Sequence, residues 1–434
     1  MPTEVPMPTE VSMPTEVSMP TDVSMSTEWI SAAEAARRLG IKPASLYSYV
    51  SRGVLSRRKA GGSRASLFSA SEVEGLARRG RPRRAPRATE LLIETQVTEI
   101  TGDRLRYRGH DVLGLAREHS FEAVANLLWT GSFGEPGGQP LWQATEAAVA
   151  VGSAAQAALP ADTLPLERLQ VIVPALAAVD PLRLHLDPPA VIAAGRALIA
   201  GMVDCLPVAG PGAAESVPRV GSIAERLVPK LCPADPTPGL VRALGAALVL
   251  LADHELAAST LAARVAASVR ADPYAVVATG LGAVGGPLHG GASFGAEVML
   301  RSAARAADAA RAVGDLLRRG ERIPGFGHYV YRESDPRAVL LMRLLRAAAP
   351  RSERLDVADA VMAEAQRRAL PAPNIDFALA ALACVGDMIP GAGQAVFAIA
   401  RTAGWLAHAI EEYARGTPIR PRGIYTGSLS APEP

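Results

Sequence analysis

Two histidines and an aspartate in the last third of the chain are presented beside glycines or prolines. His289 lies in Gly285-Gly286-Pro287-Leu288-His289-Gly290-Gly291-Ala292, His328 follows Gly325-Phe326-Gly327, and Asp376 lies in Pro373-Asn374-Ile375-Asp376-Phe377. Such neighbours let a backbone turn sharply and come close to a ligand, and imidazole and carboxylate groups are common proton carriers in catalysis. The trio points to acid–base chemistry. Singly each has a plain structural explanation: the glycines allow close packing, the histidines are core residues, and Asp376 caps the helix of Phe377 to Cys384.

Three further groups extend the pattern. His254 stands among acids in Ala252-Asp253-His254-Glu255, Arg337 follows Asp335-Pro336, and Arg401 is isolated in the apolar run Phe397 to Trp405. No acid lies within one helical turn of Arg401. A desolvated guanidinium needs an anion, so a ligand carboxylate or a sequence-distant Asp or Glu must meet it.

The elements that position these groups read as helices. The chain has 434 residues and is 49% hydrophobic but only 4% aromatic, so its core must be built mainly of Ala, Leu and Val. The alanine-rich stretches between motifs favour helix. Ser120 is placed to cap a helix over Phe121 to Trp129, while Gly131 to Pro238 yields little beyond amphipathic helices and loops. The longest apolar run, Ala243 to Ala252, is about half of what a membrane span needs and reads as a buried core helix. Cys205, Cys232 and Cys384 lack CxxC spacing, so neither a disulfide framework nor a metal site is indicated, and a cytoplasmic protein is the simplest reading.

Charge is unevenly spread. Residues 28–88 carry a net +10, against −4 for residues 1–27 and −4 for the remainder. Residues 1–27 repeat the hexapeptide MPTEVS and read as a disordered tail. In residues 28–79, Ser31 and Glu34 have capping-box spacing ahead of a helix to Leu39, Gly40 is placed to end it, and Ala44 to Val50 forms a second short helix. A basic turn with Arg57-Arg58-Lys59 follows, then a helix from Ser71 through Ala77. The pattern Ala-Ala-x-x-Leu-Gly-Ile…Leu-Tyr-x-Tyr-Val-x-x-Gly-Val-Leu resembles the winged helix-turn-helix of MerR and excisionase-type proteins. That resemblance implies DNA binding through residues 28–88, with Ser45, Tyr47, Ser48 and Arg52 near the groove and Arg57 and Arg58 on phosphates. The alternative is a packing module whose charge is merely solvated. Residues 80–93 read as a linker.

From Glu94 to Gly427 the chain resembles the citrate synthases. The resemblance is carried by six ordered blocks: Arg106-Tyr107-Arg108-Gly109, Ala252 to Glu255, the His289 block, His328 to Arg337, Asn374 to Phe377, and Arg401 with Ile419-Arg420-Pro421-Arg422-Gly423-Ile424-Tyr425-Thr426-Gly427. It implies an all-α fold, with a large domain of residues 94–290 and 389–434 and a small domain of 291–388 that closes over substrate. It also implies condensation of acetyl-CoA with oxaloacetate and hydrolysis of citryl-CoA. Asp376 would be the base, His289 the donor to the thioester oxygen and His328 the donor to the oxaloacetate carbonyl. His254, Arg337, Arg401 and Arg420 would hold carboxylates, with Arg420 reaching across a homodimer. Coenzyme A would lie against Ile323, Gly325, Phe326 and Gly327, with Arg367 and Arg368 as phosphate contacts or solvent-facing helix arginines. The thioester is then a substrate, and no resident cofactor or metal is required. Propionyl-CoA, giving 2-methylcitrate, is the near alternative, and a DNA-binding regulator with a synthase-like sensor domain is the distant one. The sequence departs from many bacterial relatives at Ala378-Leu379-Ala380, where Tyr-Ser-Gly is common, at Tyr329 in place of Arg, and at Ala257 in place of Asn. Smaller residues beside the base would leave room for a longer acyl chain.

Overall fold

The computed structural model describes residues 28–39, 46, 49–50, 55–59, 66–74, 92–134, 141–210 and 220–426. The repeat tail, Gly40, Ser45, Tyr47, Ser48, Arg52 and most of the Pro/Arg linker lie outside these residues. The chain divides into two compact units, Met1–Ile93 and Glu94–Pro434.

In the first unit, β1 (Trp29–Ser31) leads into α1 (Ala32–Leu39), and β2 (Arg57–Lys59) and β3 (Ser66–Ser69) complete an antiparallel sheet of order β1-β3-β2. Ile30 and Arg57 both pair with Phe68, and Arg58 pairs with Leu67. Ile30, Ala35, Ala36, Leu46, Leu55, Phe68, Ala70 and Val73 form a small core of their own. Half of the expected capping box is present. Ser31 Oγ accepts from the Glu34 N–H at 3.2 Å, but the Glu34 carboxylate turns to Arg37 and Arg38. The strands were not foreseen, because the exposed Arg-Arg-Lys of β2 has no apolar alternation to announce it.

The second unit opens with a small antiparallel sheet of β4 (Thr98–Thr101), β5 (Arg104–Tyr107) and β6 (His110–Asp111), and is otherwise helical. The helices are α2 (Val112–Glu118), α3 (Phe121–Thr130), α4 (Glu146–Ala157), α5 (Pro165–Ala177), α6 (Pro188–Asp204), α7 (Ile223–Leu231), α8 (Pro238–Leu251) and α9 (Ala258–Ser268). They continue as α10 (Pro273–Val284), α11 (Gly291–Ser302), α12 (Ala309–Arg318), α13 (Pro336–Ala348), α14 (Glu353–Arg367), α15 (Ile375–Val385) and α16 (Ala392–Arg415). Ser120 caps α3 as expected, its Oγ accepting from the Ala123 N–H at 3.2 Å. The Ala243–Ala252 run falls in α8 and is almost wholly buried, and no helix among the described residues is long and apolar enough to cross a membrane.

Helix α16 is the axle of this unit. It is apolar on nearly every face, so it must be buried all round, and it packs against α3, α5, α6, α8, α9, α10, α11 and α15. At Gly404 a Cβ would lie 2.4 Å from the carbonyl oxygen of Ala252 and 2.3 Å from Asp253 Oδ1, so only glycine lets α16 touch the end of α8. Toward its C-terminal end the charges it buries are paired. Arg264 of α9 bonds Glu412 at 2.6 Å and Glu411 at 2.8 Å, and His408 lies 3.3 Å from Asp253.

Candidate active site

His254, His328 and Arg337 come together directly. His254 follows the end of α8 and is buried; its ring centroid is 5.2 Å from that of His328. Beside them sits Tyr331, whose hydroxyl is 3.1 Å from His254 Nε2 and whose ring is 4.8 Å from the His328 ring. The Arg337 guanidinium lies 5.3 Å over the Tyr331 ring. It is held by Asp335, Nε donating to Oδ1 at 3.0 Å and Nη2 to Oδ2 at 2.8 Å. Asp335 also caps α13 and accepts from the Ile375 N–H at 3.0 Å. One carboxylate thus fixes Arg337 and the first turn of the helix that carries Asp376.

Asp376 is not the cap of its helix. Asn374 is, its Oδ1 accepting from the N–H groups of Asp376 at 3.0 Å and Phe377 at 3.4 Å. The carboxylate is therefore spare, and its Oδ1 is shut off from solvent without a hydrogen-bond partner. Burial pushes its pKa up to about 7, with Arg337 and Arg401 pulling the other way and Asp335 adding to the rise. An unpartnered carboxylate poised near neutrality is what a general base requires.

His289, in the tight turn between α10 and α11, is joined to Arg401 through Phe397. The His289 ring meets Phe397 edge-on at 5.5 Å, and the Arg401 guanidinium lies 4.7 Å from the same ring. Arg401 Nε donates to the Leu251 carbonyl at 2.8 Å, while Nη1 is buried and unpartnered, and no carboxylate among the described residues makes an ion pair with it. Asp253, and more weakly Asp376, offset its charge without an ion pair, and a buried cation with an idle donor suits a ligand carboxylate.

Hydrogen bonds fix the proton on both proposed catalytic histidines. Val330 and Tyr331 donate backbone N–H groups to His328 Nδ1 at 3.0 and 3.3 Å, closer than the 3.5 Å approach of Arg337 Nη2 to Nε2, which favours the proton on Nε2. His289 Nε2 is 2.8 Å from Ser259 Oγ, and the Trp405 indole donates to that same oxygen at 3.3 Å. The indole takes one lone pair of the hydroxyl, and no acceptor other than Nε2 meets the Ser259 O–H among the described residues, so the Ser259 proton goes to Nε2 and His289 keeps its own proton on Nδ1. Burial, then the charge of Arg401 for His289 and of Arg337 for His328, lowers both to about 4. Burial and then Arg337 lower His254 well below the usual imidazole range. Lowered in this way, all three rings favour the neutral form at pH 7, and His289 and His328 each present an oriented N–H.

The Gly325–Gly327 loop is stapled to the start of α15. Gly327 N–H donates to the Ala372 carbonyl at 2.8 Å, Asn374 N–H to the Gly325 carbonyl at 2.9 Å, and Phe326 meets Phe377 at 5.0 Å. Gly325 has φ +80°, and a Cβ there would lie 2.9 Å from the Phe377 Cα. Ile323 is buried beside it. Arg367 and Arg368 both bond Glu364 at the end of α14, as surface helix arginines do. Arg420 is exposed in the segment after α16, which is anchored by Ile419 N–H on Ser268 Oγ at 3.0 Å. Within one chain, no hydrogen bond among the described residues joins it to the cluster. Arg57 and Arg58 lie on β2 of the first unit, Arg58 over the Trp29 ring at 5.3 Å.

Among the departures, Ala378, Leu379 and Ala380 are fully buried and line no open space in this conformation, Tyr329 is 93% exposed, and Ala257 opens α9 without a side-chain cap. Ser259, Tyr331 and Asp335 are the working residues the sequence did not single out. Tyr331 and Asp335 sit inside the His328 to Arg337 block and Ser259 four residues beyond Glu255, where a serine, a tyrosine and an acid carry no signal of their own.

Residues 89–422 match the family model described as citrate synthase, C-terminal domain. The chain is 31% identical to "Citrate synthase 2" of Bacillus subtilis over 79% of its own length and 96% of that protein. The chain belongs to the citrate synthase family. Members of this family are acyltransferases. The chain is also 30% identical to a 2-methylcitrate synthase of Mycobacterium tuberculosis, over 74% of this chain and 84% of that one. Its fold is similar to that of a citrate synthase from Thermoplasma acidophilum, solved as a ternary complex with carboxymethyl coenzyme A and oxaloacetate. That match has a TM-score of 0.63 and 24% identity, over 79% of this chain and 96% of that structure.

Proposed function

We propose that residues 94–434 condense acetyl-CoA with oxaloacetate and hydrolyse the product citryl-CoA to citrate and CoA. The observation that carries this reading is Asp376, a half-buried carboxylate whose Oδ1 is shut off from solvent without a partner and whose pKa is pushed up to about 7, accompanied by two neutral imidazoles with oriented N–H donors and the buried cation Arg401 with its idle Nη1. Asp376 takes a methyl proton from the thioester while His289 Nδ1–H donates to the thioester oxygen, where negative charge develops. The enol carbon then attacks the keto carbon, and His328 Nε2–H passes its proton to the alkoxide. Neutral imidazoles suit both steps, because each donor must stabilise charge that exists only in the transition state. His254, Arg337 and Arg401 hold the carboxylates, joined by Arg420 of a second copy in a homodimer. The Ile323–Gly327 loop takes the CoA, with Arg367 and Arg368 within the same reading as phosphate contacts that must first release Glu364. Closure of residues 291–388 over the remainder excludes water until the hydrolytic step. Free, buried Cys205, Cys232 and Cys384 fit a reducing cytosol.

The test is CoA release by purified protein given oxaloacetate with acetyl-CoA or propionyl-CoA. Release with acetyl-CoA is expected, a higher kcat/KM with propionyl-CoA makes the protein a 2-methylcitrate synthase, and release with neither refutes the reading. A second role is favoured by the exposed Arg57-Arg58-Lys59 strand in a segment of net charge +10. Residues 28–88 act as a winged helix-turn-helix on DNA, binding at low salt and weakening steeply as salt rises.

A further inference from the structure

We propose that Tyr331 is a positioning residue that sets the spacing and orientation of His254 and His328 for the keto dicarboxylate, an inference that rests on the oxaloacetate reading above. Three contacts converge on this one side chain and its own backbone. The hydroxyl reaches His254 Nε2 at 3.1 Å, the backbone N–H reaches His328 Nδ1 at 3.3 Å, and the ring packs against both imidazoles, at 5.6 and 4.8 Å, closing a triangle with their own 5.2 Å contact. Arg337 covers the ring, with its guanidinium carbon 5.3 Å from the centroid. Tyr331 is 4% exposed. Buried phenols find a hydrogen-bond partner, and the partner here is a ring placed to hold substrate.

The Tyr331 hydroxyl can donate to or accept from His254 Nε2, so it meets that nitrogen in either neutral tautomer. Without that partner the neutral ring has an unmet nitrogen in a buried pocket and is free to swivel, and its ordering falls on the binding step. The backbone N–H to His328 does not depend on the side chain, so the hydroxyl and the ring serve separable ends.

The experiment compares Tyr331→Phe and Tyr331→Leu with wild type by calorimetric titration of oxaloacetate and by steady-state CoA release. Tyr331→Phe keeps the ring and loses one hydrogen bond, so oxaloacetate Kd and KM should rise ~3- to 10-fold with the acyl-CoA KM at its wild-type value. Tyr331→Leu removes the ring that packs against both imidazoles as well, so kcat should fall along with oxaloacetate affinity. An oxaloacetate Kd that is unchanged or tighter in Tyr331→Phe overturns the proposal while leaving the enzyme reading intact. Equal losses for oxaloacetate and acyl-CoA would mark a general packing defect and overturn it too. Wild-type protein that binds no oxaloacetate sinks the underlying reading instead.

Discussion

Replacing Asp376 with Asn should abolish activity and stabilise the protein, with a pH dependence that identifies the cause. The carboxyl is raised from 3.8 to about 7, chiefly by burial. A value raised in the folded state means that the group's contribution to stability is fully present below the unfolded value and is lost as pH rises through 7. Each unit corresponds to about 1.4 kcal/mol, so the ionised carboxylate costs the folded state on the order of 4 kcal/mol at pH 8. The cost is about 1.6 kcal/mol at pH 5 and under about 1 kcal/mol at pH 4. Asn has no charge to desolvate. Denaturant melts of Asp376→Asn and wild type at pH 4, 5 and 8 should therefore diverge as pH rises, with the variant more stable at pH 8 and inactive throughout. In wild type the same group gives kcat/KM a rising limb near pH 7, and no separate histidine limb is expected above about pH 5, because His289 and His328 titrate at about 4. Refutation would be a variant no more stable than wild type at pH 8, a gain that does not shrink at pH 5, or measurable turnover without the carboxylate.

Two further substitutions separate the remaining roles. Ser259→Ala frees the His289 tautomer and leaves the Trp405 indole without its acceptor, so kcat should fall ~10- to 100-fold with little change in oxaloacetate KM; an unaltered kcat would show that His289 needs no anchor. Arg401→Met removes an unpaired buried cation, so the melting temperature should hold or rise while oxaloacetate affinity drops by at least ~30-fold, checked by thermal melts and calorimetry. A variant that melts earlier yet binds normally would assign Arg401 to the core.

The sequence made the charged and titratable half of the site legible. His289, His328, Asp376 and Arg401 stand out as groups expensive to bury in a glycine-bearing, proline-bearing or apolar context, His254 stands among acids, and Arg337 follows Asp335-Pro336. The small polar residues that govern them were not legible. Ser259 and Tyr331 are cheap to place anywhere, and their meaning lies in a neighbour 30 and 77 residues away. Likewise the α-helical character of Glu94 to Gly427 followed from alanine-rich spacing and the resemblance, whereas β1 to β3 passed unnoticed because strands of three or four residues leave no periodic trace.

By itself, then, the chain determined which groups could move protons and hold carboxylates, and that helices must carry them, because residue type and local spacing are properties of the sequence alone. Only the tertiary structure decided their states. The packing of α15 and its Asn374 cap leave Asp376 spare and push its pKa to about 7, and the Ser259–Trp405 and Val330–Tyr331 donors choose which nitrogen of each histidine keeps its proton. Desolvation and hydrogen-bond direction depend on what surrounds a group in three dimensions, and that surrounding is assembled from segments far apart in the chain.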